Sequence, residues 1–363
     1  MLNSIIYNNY QYSLFNNLDF KYKKISFPST RYQGSKYKLV DWINYNTRHL
    51  KFKTVLDAFG GTGCVSYMFK KQGKQVFYND ILKFNSYIAT ALIKNSTEIL
   101  EEKDINFILT KHLSIKYPTF IQDNFKDIYF TQDENKWLDV VITNIFKISN
   151  EYKKAIALYA LFQSCIIKRP YNLFHRKNLY IRTSNVIRTF GNKKTWDTSF
   201  EEHFKHFIEE ANNAIFDNNK ENLVFCEDAL NLNISADLVY IDTPYISSKG
   251  TGVDYLNFYH FLEGLVNYKD WNILIDNKTK NKKMFHVENN WCNKEKIYSS
   301  FKNLFCKFKN SILVVSYREN GIPTIDELVN ILKNYKNKIE IKTIDYKYAL
   351  SNNNTKEVLI IAL

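Results

Sequence analysis

Residues 53–80 have the sequence KTVLDAFGGTGCVSYMFKKQGKQVFYND. The apolar run that ends at Phe59 predicts a short buried strand, the glycines after it predict a tight turn, and the spacing from Val65 onward predicts a helix. A second apolar run follows that helix at once and ends at Asp80. A strand, a helix and a strand in such close succession indicate the beginning of a parallel α/β sheet.

The strand pattern stops after this unit and returns only near residue 222. Helical spacing and stretches rich in Arg, Lys and aromatic residues fill the interval, and strands are then predicted at 236–242, at 311–316 and in a terminal hairpin. We therefore expect one α/β domain that is split by a helical insert. The predicted boundaries are 1–30 for an N-terminal arm, 31–109 for the first half of the domain, 110–218 for the insert and 219–363 for the second half.

Composition restricts the class of protein. The chain has 363 residues, 45% of them hydrophobic, which is enough for a folded core, and a formal net charge of +13. Excess Lys and Arg favour a nucleic-acid partner, although the codon bias of an A/T-rich genome gives the same excess. Five cysteines without a CxxC pair indicate neither a disulfide framework nor a zinc site. The sequence has no leader-like or membrane-spanning run, so we expect a cytoplasmic protein without a bound metal.

The turn at 57–63 is suited to a nucleoside without phosphates. Its glycines allow the backbone to approach a ligand closely, and Asp80, at the end of the next strand, can accept hydrogen bonds from ribose hydroxyls. The turn lacks the Lys-Ser/Thr ending of a P-loop and the spacing of a dinucleotide site, and Asp57 favours a cation over an anion. S-adenosylmethionine, a nucleoside with a sulfonium group, meets these conditions. A purely structural strand-to-helix turn is the simpler alternative.

A second candidate site follows the strand that ends before residue 242. The tetrapeptide Asp242-Thr-Pro-Tyr245 places a carboxylate, a rigid turn and an aromatic ring at the carboxyl end of that strand, where α/β sheets hold their active sites. The carboxylate and a backbone carbonyl can accept the two N–H bonds of an exocyclic amine, and Tyr245 can stack on an extruded base. A proline turn beside a core tyrosine explains the same residues without a function.

Three further segments are weaker candidates. Residues 32–36 can form a second wall of the cofactor pocket or only a turn, and Asp228 can bind the adenine of the cofactor or be a solvated loop carboxylate. In the insert, basic groups alternate with aromatic and amide side chains, a pattern that suits phosphate and base contacts but also an ordinary basic surface. The candidates there for DNA binding are Lys168, Arg169, Asn172, His175, Arg176, Lys177, Arg182 and Arg188.

Together these segments resemble the D12 class of adenine-specific DNA methyltransferases, the group that includes the Dam-type enzymes. Residues 31–36 look like the first cofactor motif of that family, 57–63 look like its D-x-F-x-G-x-G, and 242–245 resemble its D-P-P-Y catalytic motif. The order of the motifs matches as well, because the family has its target-recognition insert between the cofactor turn and the catalytic tetrapeptide.

The resemblance implies a fold, a reaction and a set of site residues. The fold is a Rossmann-like class I methyltransferase α/β mixed sheet with a C-terminal β-hairpin, plus a helical target-recognition insert. The reaction is methyl transfer from S-adenosyl-L-methionine to the N6 amine of a flipped-out adenine in double-stranded DNA. The implied catalytic residues are Asp242, Thr243, Pro244 and Tyr245, and the implied cofactor-binding residues are Tyr32, Gln33, Lys36, Asp57, Phe59, Gly61, Gly63, Asp80 and Asp228.

Thr243 departs from the family, which usually has Pro at this position. The family uses the main-chain carbonyl there, which Thr also supplies, so we expect activity to be retained although φ is less restricted. Two alternatives stay open: an amino-methyltransferase for cytosine N4, RNA adenine or protein glutamine, and a catalytically silent DNA-binding protein with the same fold. The sequence also leaves open a monomer or a dimer, and a cognate restriction endonuclease as a partner.

Overall fold

The computed structural model describes residues 25–186, 193–248, 250–346 and 355–363, so most of the predicted N-terminal arm lies outside the described part. Its strands are β1 (Thr54–Asp57), β2 (Gln75–Asn79), β3 (Leu223–Phe225), β4 (Leu238–Ile241), β5 (Ile246–Ser247), β6 (Ile312–Arg318), β7 (Gly321–Ile322), β8 (Ile339–Tyr346) and β9 (Thr355–Ala362). Within the described ranges, seven of them form one sheet in the order β3-β2-β1-β4-β6-β9-β8, and β5 pairs with β7.

Five neighbouring strands of the sheet, β3, β2, β1, β4 and β6, run parallel. β9 lies antiparallel between β6 and β8, so the last two strands form a hairpin. This topology confirms the predicted mixed α/β sheet with a C-terminal hairpin. From β1, the strands β2 and β3 follow on one side of the sheet, and β4 and β6 follow on the other side. The direction of strand order thus reverses between β1 and β4, and such a reversal leaves a binding crevice at the carboxyl ends of these strands.

The sheet separates two hydrophobic cores, because successive residues of a strand point to opposite faces. Val55 and Val314 belong to one core and Leu56 and Val315 to the other. The helices are α1 (Val40–Thr47), α2 (Cys64–Lys71), α3 (Lys83–Ala89), α4 (Glu102–Leu109), α5 (Phe120–Asn124), α6 (Gln132–Ile145), α7 (Glu151–Ile167), α8 (Tyr180–Thr183), α9 (Lys193–Asp197), α10 (Phe200–Ala214), α11 (Tyr255–Val266), α12 (Trp271–Leu274), α13 (Ile297–Lys307) and α14 (Ile325–Leu332).

Capping residues determine where several of these helices begin. The side chain of Thr324 accepts from the backbone N–H of Glu327, whose carboxylate accepts from the backbone N–H of Thr324. This is the capping box that the sequence predicts for α14. Thr131 and Glu134 form a second capping box at the start of α6.

The helical region between β2 and β3 is organised around α7. This helix is buried from Ala155 to Ile166, as expected for a helix that is apolar on all sides. Phe261 of the later helix α11 packs against Phe125 and Phe174, with ring centroids 5.1 and 5.2 Å apart. Two segments of the chain therefore build the helical region, and the insert boundaries 110–218 stay a prediction. None of the helices in the described ranges has the length and apolar character that a membrane crossing requires.

Candidate active site

The carboxyl ends of β1, β2 and β4 meet at one edge of the sheet and place three carboxylates there. Asp57 ends β1, Asp80 follows β2 and Asp242 follows β4. All three line one cavity of about 470 Å³, a volume within the range of small-molecule sites. The cavity lies where the order of the parallel strands reverses, which is the usual binding position in an open α/β sheet.

The glycine-rich turn forms one wall of this cavity. The backbone N–H of Gly61 donates to Asp80 Oδ2 at 2.9 Å, and its carbonyl accepts from the Tyr78 hydroxyl at 2.6 Å. A side chain at Gly60 would collide with the Tyr78 ring, so the turn can approach β2 this closely only with glycine. Gly63 begins α2 with a left-handed φ of 78° and is not among the lining residues. It shapes the turn, and the structure does not bring it to the cavity.

Asp57 is buried, and among the described residues only one of its carboxylate oxygens has a partner. Ser66 Oγ donates to Oδ2 at 2.6 Å, whereas Oδ1 is buried without a hydrogen bond. Burial raises the pKa of Asp57 to about 7, although the hydrogen bond from Ser66 acts in the opposite direction. A buried acceptor with unused capacity at a cavity wall suits a cationic or N–H-donating ligand.

The other predicted cofactor contacts near the turn also line the cavity. Asp80 accepts from the backbone N–H of Leu82 at 2.8 Å, and burial raises its pKa. The Phe59 ring packs edge-to-face on Trp291 with centroids 4.8 Å apart, and Asp228 lies at the same wall. Trp291 was missed by sequence reasoning, because no motif surrounds it.

The segment 32–36 contributes to the cavity, apart from one residue. Tyr32 and Lys36 line it, and the Tyr32 ring stacks on that of Tyr259 in α11 with centroids 4.6 Å apart. Gln33 is not among the lining residues and donates its backbone N–H to the Tyr259 hydroxyl at 2.7 Å. The structure therefore places Tyr32 and Lys36 where a cofactor could contact them, whereas Gln33 holds the segment on α11.

Lys36 joins this segment to Asp242. Its ammonium donates to Asp242 Oδ1 at 2.8 Å and to the Tyr245 hydroxyl, which itself donates to the same Oδ1 at 3.0 Å. Glu357 of β9 brings a second carboxylate to 3.9 Å from the ammonium. Burial alone would lower the pKa of Lys36, but the attraction of both carboxylates outweighs it and raises the pKa. The ammonium therefore stays charged although the side chain is buried.

The residues of the tetrapeptide 242–245 differ in their access to the cavity. Asp242 and Pro244 line it, whereas Thr243 and Tyr245 are not among the lining residues and are 3% and 8% exposed. The Tyr245 ring packs edge-to-face on Tyr317 with centroids 5.4 Å apart. In this structure Tyr245 thus holds the Asp242 carboxylate through its hydroxyl.

Two carboxylates near the cavity, of the half-buried Glu263 and the buried Glu357, carry no sequence signal. Glu263 lines the cavity and accepts from the backbone N–H groups of Lys83 and Phe84 at 3.2 and 3.1 Å, at the start of α3. Burial raises the pKa of Glu263 to about 7. Glu357 reaches Lys36 from the opposite end of the chain. Both lie in ordinary helix or strand patterns, so only the tertiary contacts show what they do.

Three of the residues that the sequence predicts to bind DNA are buried. Lys168, Arg169 and Arg182 are 2%, 1% and 7% exposed. Lys168 and Arg182 form ion pairs with Glu134 at 2.9 and 2.6 Å. The structure therefore places these three side chains inside the fold. A basic sequence pattern does not show whether a distant carboxylate, as for Lys168 and Arg182, or backbone carbonyls, as for Arg169, hold the cation there.

Arg169 stabilises the loops next to the end of α7. Its guanidinium donates to the carbonyls of Leu173, Tyr129 and Arg176 at 3.2, 3.3 and 3.0 Å and to the side chain of Asn178. We expect Arg169→Lys to lower the free energy of unfolding by about 3 kcal/mol, because one ammonium cannot satisfy these acceptors. Chemical denaturation measures the change, with the exposed Lys177→Gln as a control that stays within about 0.5 kcal/mol. Equal stability of both variants would contradict this role.

The remaining DNA-binding candidates differ from these three and from one another in their solvent exposure. Arg176 and Lys177 are exposed, and Asn172 and His175 are half-buried. Arg188 lies outside the described residues. Arg176 and Lys177 are therefore the basic candidates that the structure places on the surface.

The chain is similar to known proteins over most of its length. The model of the D12 class N6 adenine-specific DNA methyltransferases matches residues 32–331. The chain belongs to this family. The type II methyltransferase M2.HphI of Haemophilus parahaemolyticus is 29% identical over 91% of this chain and 95% of its own length. Modification methylase StsI of Streptococcus sanguinis is 27% identical and modification methylase LlaI of Lactococcus lactis subsp. lactis is 25% identical, each over 90% of this chain.

The matched residues of this D12-class methyltransferase include strands β1 to β7 and all the residues that line the cavity. The chain covers 50% of StsI and 52% of LlaI, which therefore extend beyond the matched part. Asp57, Asp80 and Asp242 all fall within the family region, whereas Glu357 follows it. In the part of the methyltransferase that the structure describes, no group of three or more His, Cys, Asp or Glu side chains could hold a metal ion.

Proposed function

We propose that the protein transfers a methyl group from S-adenosylmethionine to the N6 amine of adenine in double-stranded DNA, at a specific sequence. The observation that carries this proposal is the single cavity that contains both Asp57 at the end of β1 and Asp242 at the end of the adjacent β4. The relatives named as type II methyltransferases support a modification enzyme whose partner is a restriction endonuclease of the same specificity.

The residues at the glycine-rich turn fit S-adenosylmethionine. Asp57 Oδ1 is a buried acceptor without a hydrogen bond, which suits a cationic group of that molecule. Asp80 would accept from the ribose hydroxyls, and Phe59 and Asp228 would border the adenine. Bound there, S-adenosylmethionine supplies the electrophilic methyl group.

In this proposal, Asp242 makes the target amine more nucleophilic. The lone pair of this amine is delocalised into the adenine ring, so the nitrogen is a weak nucleophile until it becomes pyramidal. The Asp242 carboxylate accepts one N–H and the Thr243 carbonyl accepts the other, which stabilises the pyramidal geometry and the positive charge that develops on the nitrogen. The Tyr245 hydroxyl keeps the carboxylate in place, and stacking of its ring on the extruded base stays part of the proposal.

The Lys36 ammonium is a hydrogen-bond donor to the same Asp242 carboxylate that would bind the target amine. It is a tetrahedral, positively charged N–H donor 2.8 Å from Asp242 Oδ1, and the amine nitrogen becomes such a donor as its bond to the methyl group forms. The amine and the ammonium therefore compete for one acceptor. Glu357, 3.9 Å from the ammonium, is the second carboxylate to which Lys36 can turn when adenine enters.

DNA from a bacterial host without adenine methylation provides the test. A host that expresses the chain should acquire N6-methyladenine at one short motif, detected by long-read sequencing, and a host with the Asp242→Asn variant should not. Methylated cytosine would change the substrate to cytosine N4, and methylated RNA alone would change it to RNA. Absence of any methylation by a protein that binds both DNA and cofactor would favour the silent DNA-binding alternative.

Arg176 provides a prediction for the DNA-binding surface. It is exposed, so Arg176→Gln should weaken DNA binding and reduce the slope of log affinity against log salt by about one, as loss of one phosphate contact does. Fluorescence anisotropy at several salt concentrations measures both quantities, and Lys309→Gln, exposed after α13, is the matched control. An unchanged slope would remove Arg176 from the DNA surface.

A further inference from the structure

A basic loop projects between α12 and the following segment. Ile275 and Met284 form an antiparallel bridge, and the backbone N–H of Asp276 donates to the carbonyl of Lys283 at 2.8 Å. Residues 276–283, here named the lysine loop, include lysines at positions 278, 280, 282 and 283. The first two of these lysines are exposed and the last two are half-buried. The loop thus carries a local concentration of positive charge.

The lysine loop is attached to the segment that carries Arg176 and Lys177. The carbonyl of Asn281 accepts from the Tyr129 hydroxyl at 2.8 Å, and the Asn281 side chain donates to the carbonyl of Phe174 at 3.3 Å. Two groups of exposed cations that are distant in the sequence are therefore held on neighbouring segments. Neighbouring groups of exposed cations suit a phosphate backbone.

Apolar side chains follow the loop toward the cavity. Phe285 and Val287 are 57% and 63% exposed and both line the cavity that contains Asp242. The backbone N–H of Phe285 donates to the carbonyl of Leu274 at 2.9 Å, so its position is fixed relative to α12. Proteins that unstack a duplex insert exposed apolar side chains such as Phe between base steps, and Phe285 lies between the lysine loop and Val287 at the edge of this cavity.

We propose that residues 277–287 are a second DNA-contacting element, in addition to Arg176 and Lys177. Lys278 and Lys280 bind phosphates beside the target, and Phe285 enters the base stack and fills the space that the extruded adenine leaves. The inference rests on the proposed function, because it assigns the contacts by which the same cavity receives its base. Extrusion of a paired base costs a few kcal/mol, and burial of the Phe285 ring offsets part of that cost.

The Phe285→Ala variant tests the role of the ring. We expect kcat/KM to fall at least about tenfold on a fully paired duplex, and to recover on a duplex whose target adenine faces an abasic site, since an unpaired base is extruded more easily. The matched control is Ile341→Ala, because Ile341 is a large apolar side chain on β8 that is 46% exposed. This variant should leave kcat/KM unchanged on both duplexes. An equal loss on both duplexes, or no loss on either, would overturn the role of Phe285.

The double variant Lys278→Gln with Lys280→Gln tests the lysines. We expect lower DNA affinity and a salt slope reduced by about two, one for each phosphate contact, with unchanged cofactor affinity. The double variant Lys302→Gln with Lys309→Gln, at two exposed positions, is the charge-matched control and should leave the slope unchanged. An unchanged slope in the loop variant would reject the loop as a DNA contact. Failure of the wild-type protein to methylate any DNA would instead count against the proposed function.

Discussion

Asp242→Asn should lower the rate of methyl transfer by about 10²–10³-fold and leave S-adenosylmethionine binding nearly unchanged. The amide replaces a charged acceptor with a neutral group, so positive charge on the amine nitrogen is no longer stabilised, and losses of this kind have about this magnitude. Single-turnover transfer at saturating cofactor and DNA measures the rate. Calorimetric titration measures the affinity for the cofactor.

The matched control for this variant is Asp345→Asn, which makes the same exchange at an exposed position on β8. Thermal unfolding should be recorded for both variants, because Asp242 also accepts hydrogen bonds from Lys36 and Tyr245. A folded Asp242→Asn protein that retains more than about a tenth of the normal rate would contradict the assigned role.

Asp57→Asn should weaken S-adenosylmethionine binding by about 30-fold. Hydrogen bonds to a charged group contribute about 2 kcal/mol, and the proposed function makes the unpaired Oδ1 of Asp57 the acceptor for the ligand cation. Calorimetric titration at pH 8 measures the affinity, with Asp41→Asn, exposed in α1, as the matched control. Equal affinity of the wild-type and Asp57→Asn proteins would remove Asp57 from the cofactor site.

The raised pKa of Asp57 also predicts a pH dependence. With a pKa of about 7 in the unliganded protein, the carboxyl is charged above that pH and neutral below it. The affinity of the wild-type protein for S-adenosylmethionine should therefore fall as the pH decreases below about 7. The affinity of Asp57→Asn should change less there, because Glu263, with a pKa of about 7, is a carboxyl of the same cavity that still titrates. Wild-type affinity that is independent of pH across this interval would contradict the prediction.

The same shift in pKa affects stability. The pKa of Asp57 in the folded state lies above its ordinary value of 3.8. The unliganded protein therefore loses stability as the pH rises from 3.8 to about 7. At about 1.4 kcal/mol for each pKa unit, the loss is on the order of 4 kcal/mol. Asp57→Asn should therefore raise the melting temperature of the unliganded protein at pH 8, although it impairs binding.

The sequence was sufficient to predict the sheet and much of the cavity. Asp57 is the last residue of an apolar strand, and Asp80 and Asp242 each come directly after one. The carboxyl ends of parallel strands lie at one edge of the sheet, so the three residues line one cavity. An acidic residue at the end of each apolar strand in the sequence therefore predicts that the three carboxylates lie close together in space. Gln33 and Gly63 belong to the same motifs but are not among the lining residues, because a motif does not show which side of the backbone each residue faces.

The sequence could not predict contacts between distant segments. Lys168 and Arg182 look like surface cations until Glu134 of α6 is placed beside them. Glu357 has no visible role until β9 is placed beside β6 and its carboxylate reaches Lys36. Likewise, the lysine loop lies in the second half of the chain, and the contacts of Asn281 with Tyr129 and Phe174 bring it to the segment that carries Arg176 and Lys177.

The most direct test of the central claim is transfer of labelled methyl from S-adenosylmethionine to duplex DNA of diverse sequence by the purified protein. The DNA is then digested to nucleosides and the labelled product is identified. The structure and the family predict N6-methyladenine, absent when Asp242→Asn replaces the wild-type protein. Label in a cytosine nucleoside, or no label from a protein that binds both DNA and cofactor, would contradict the account.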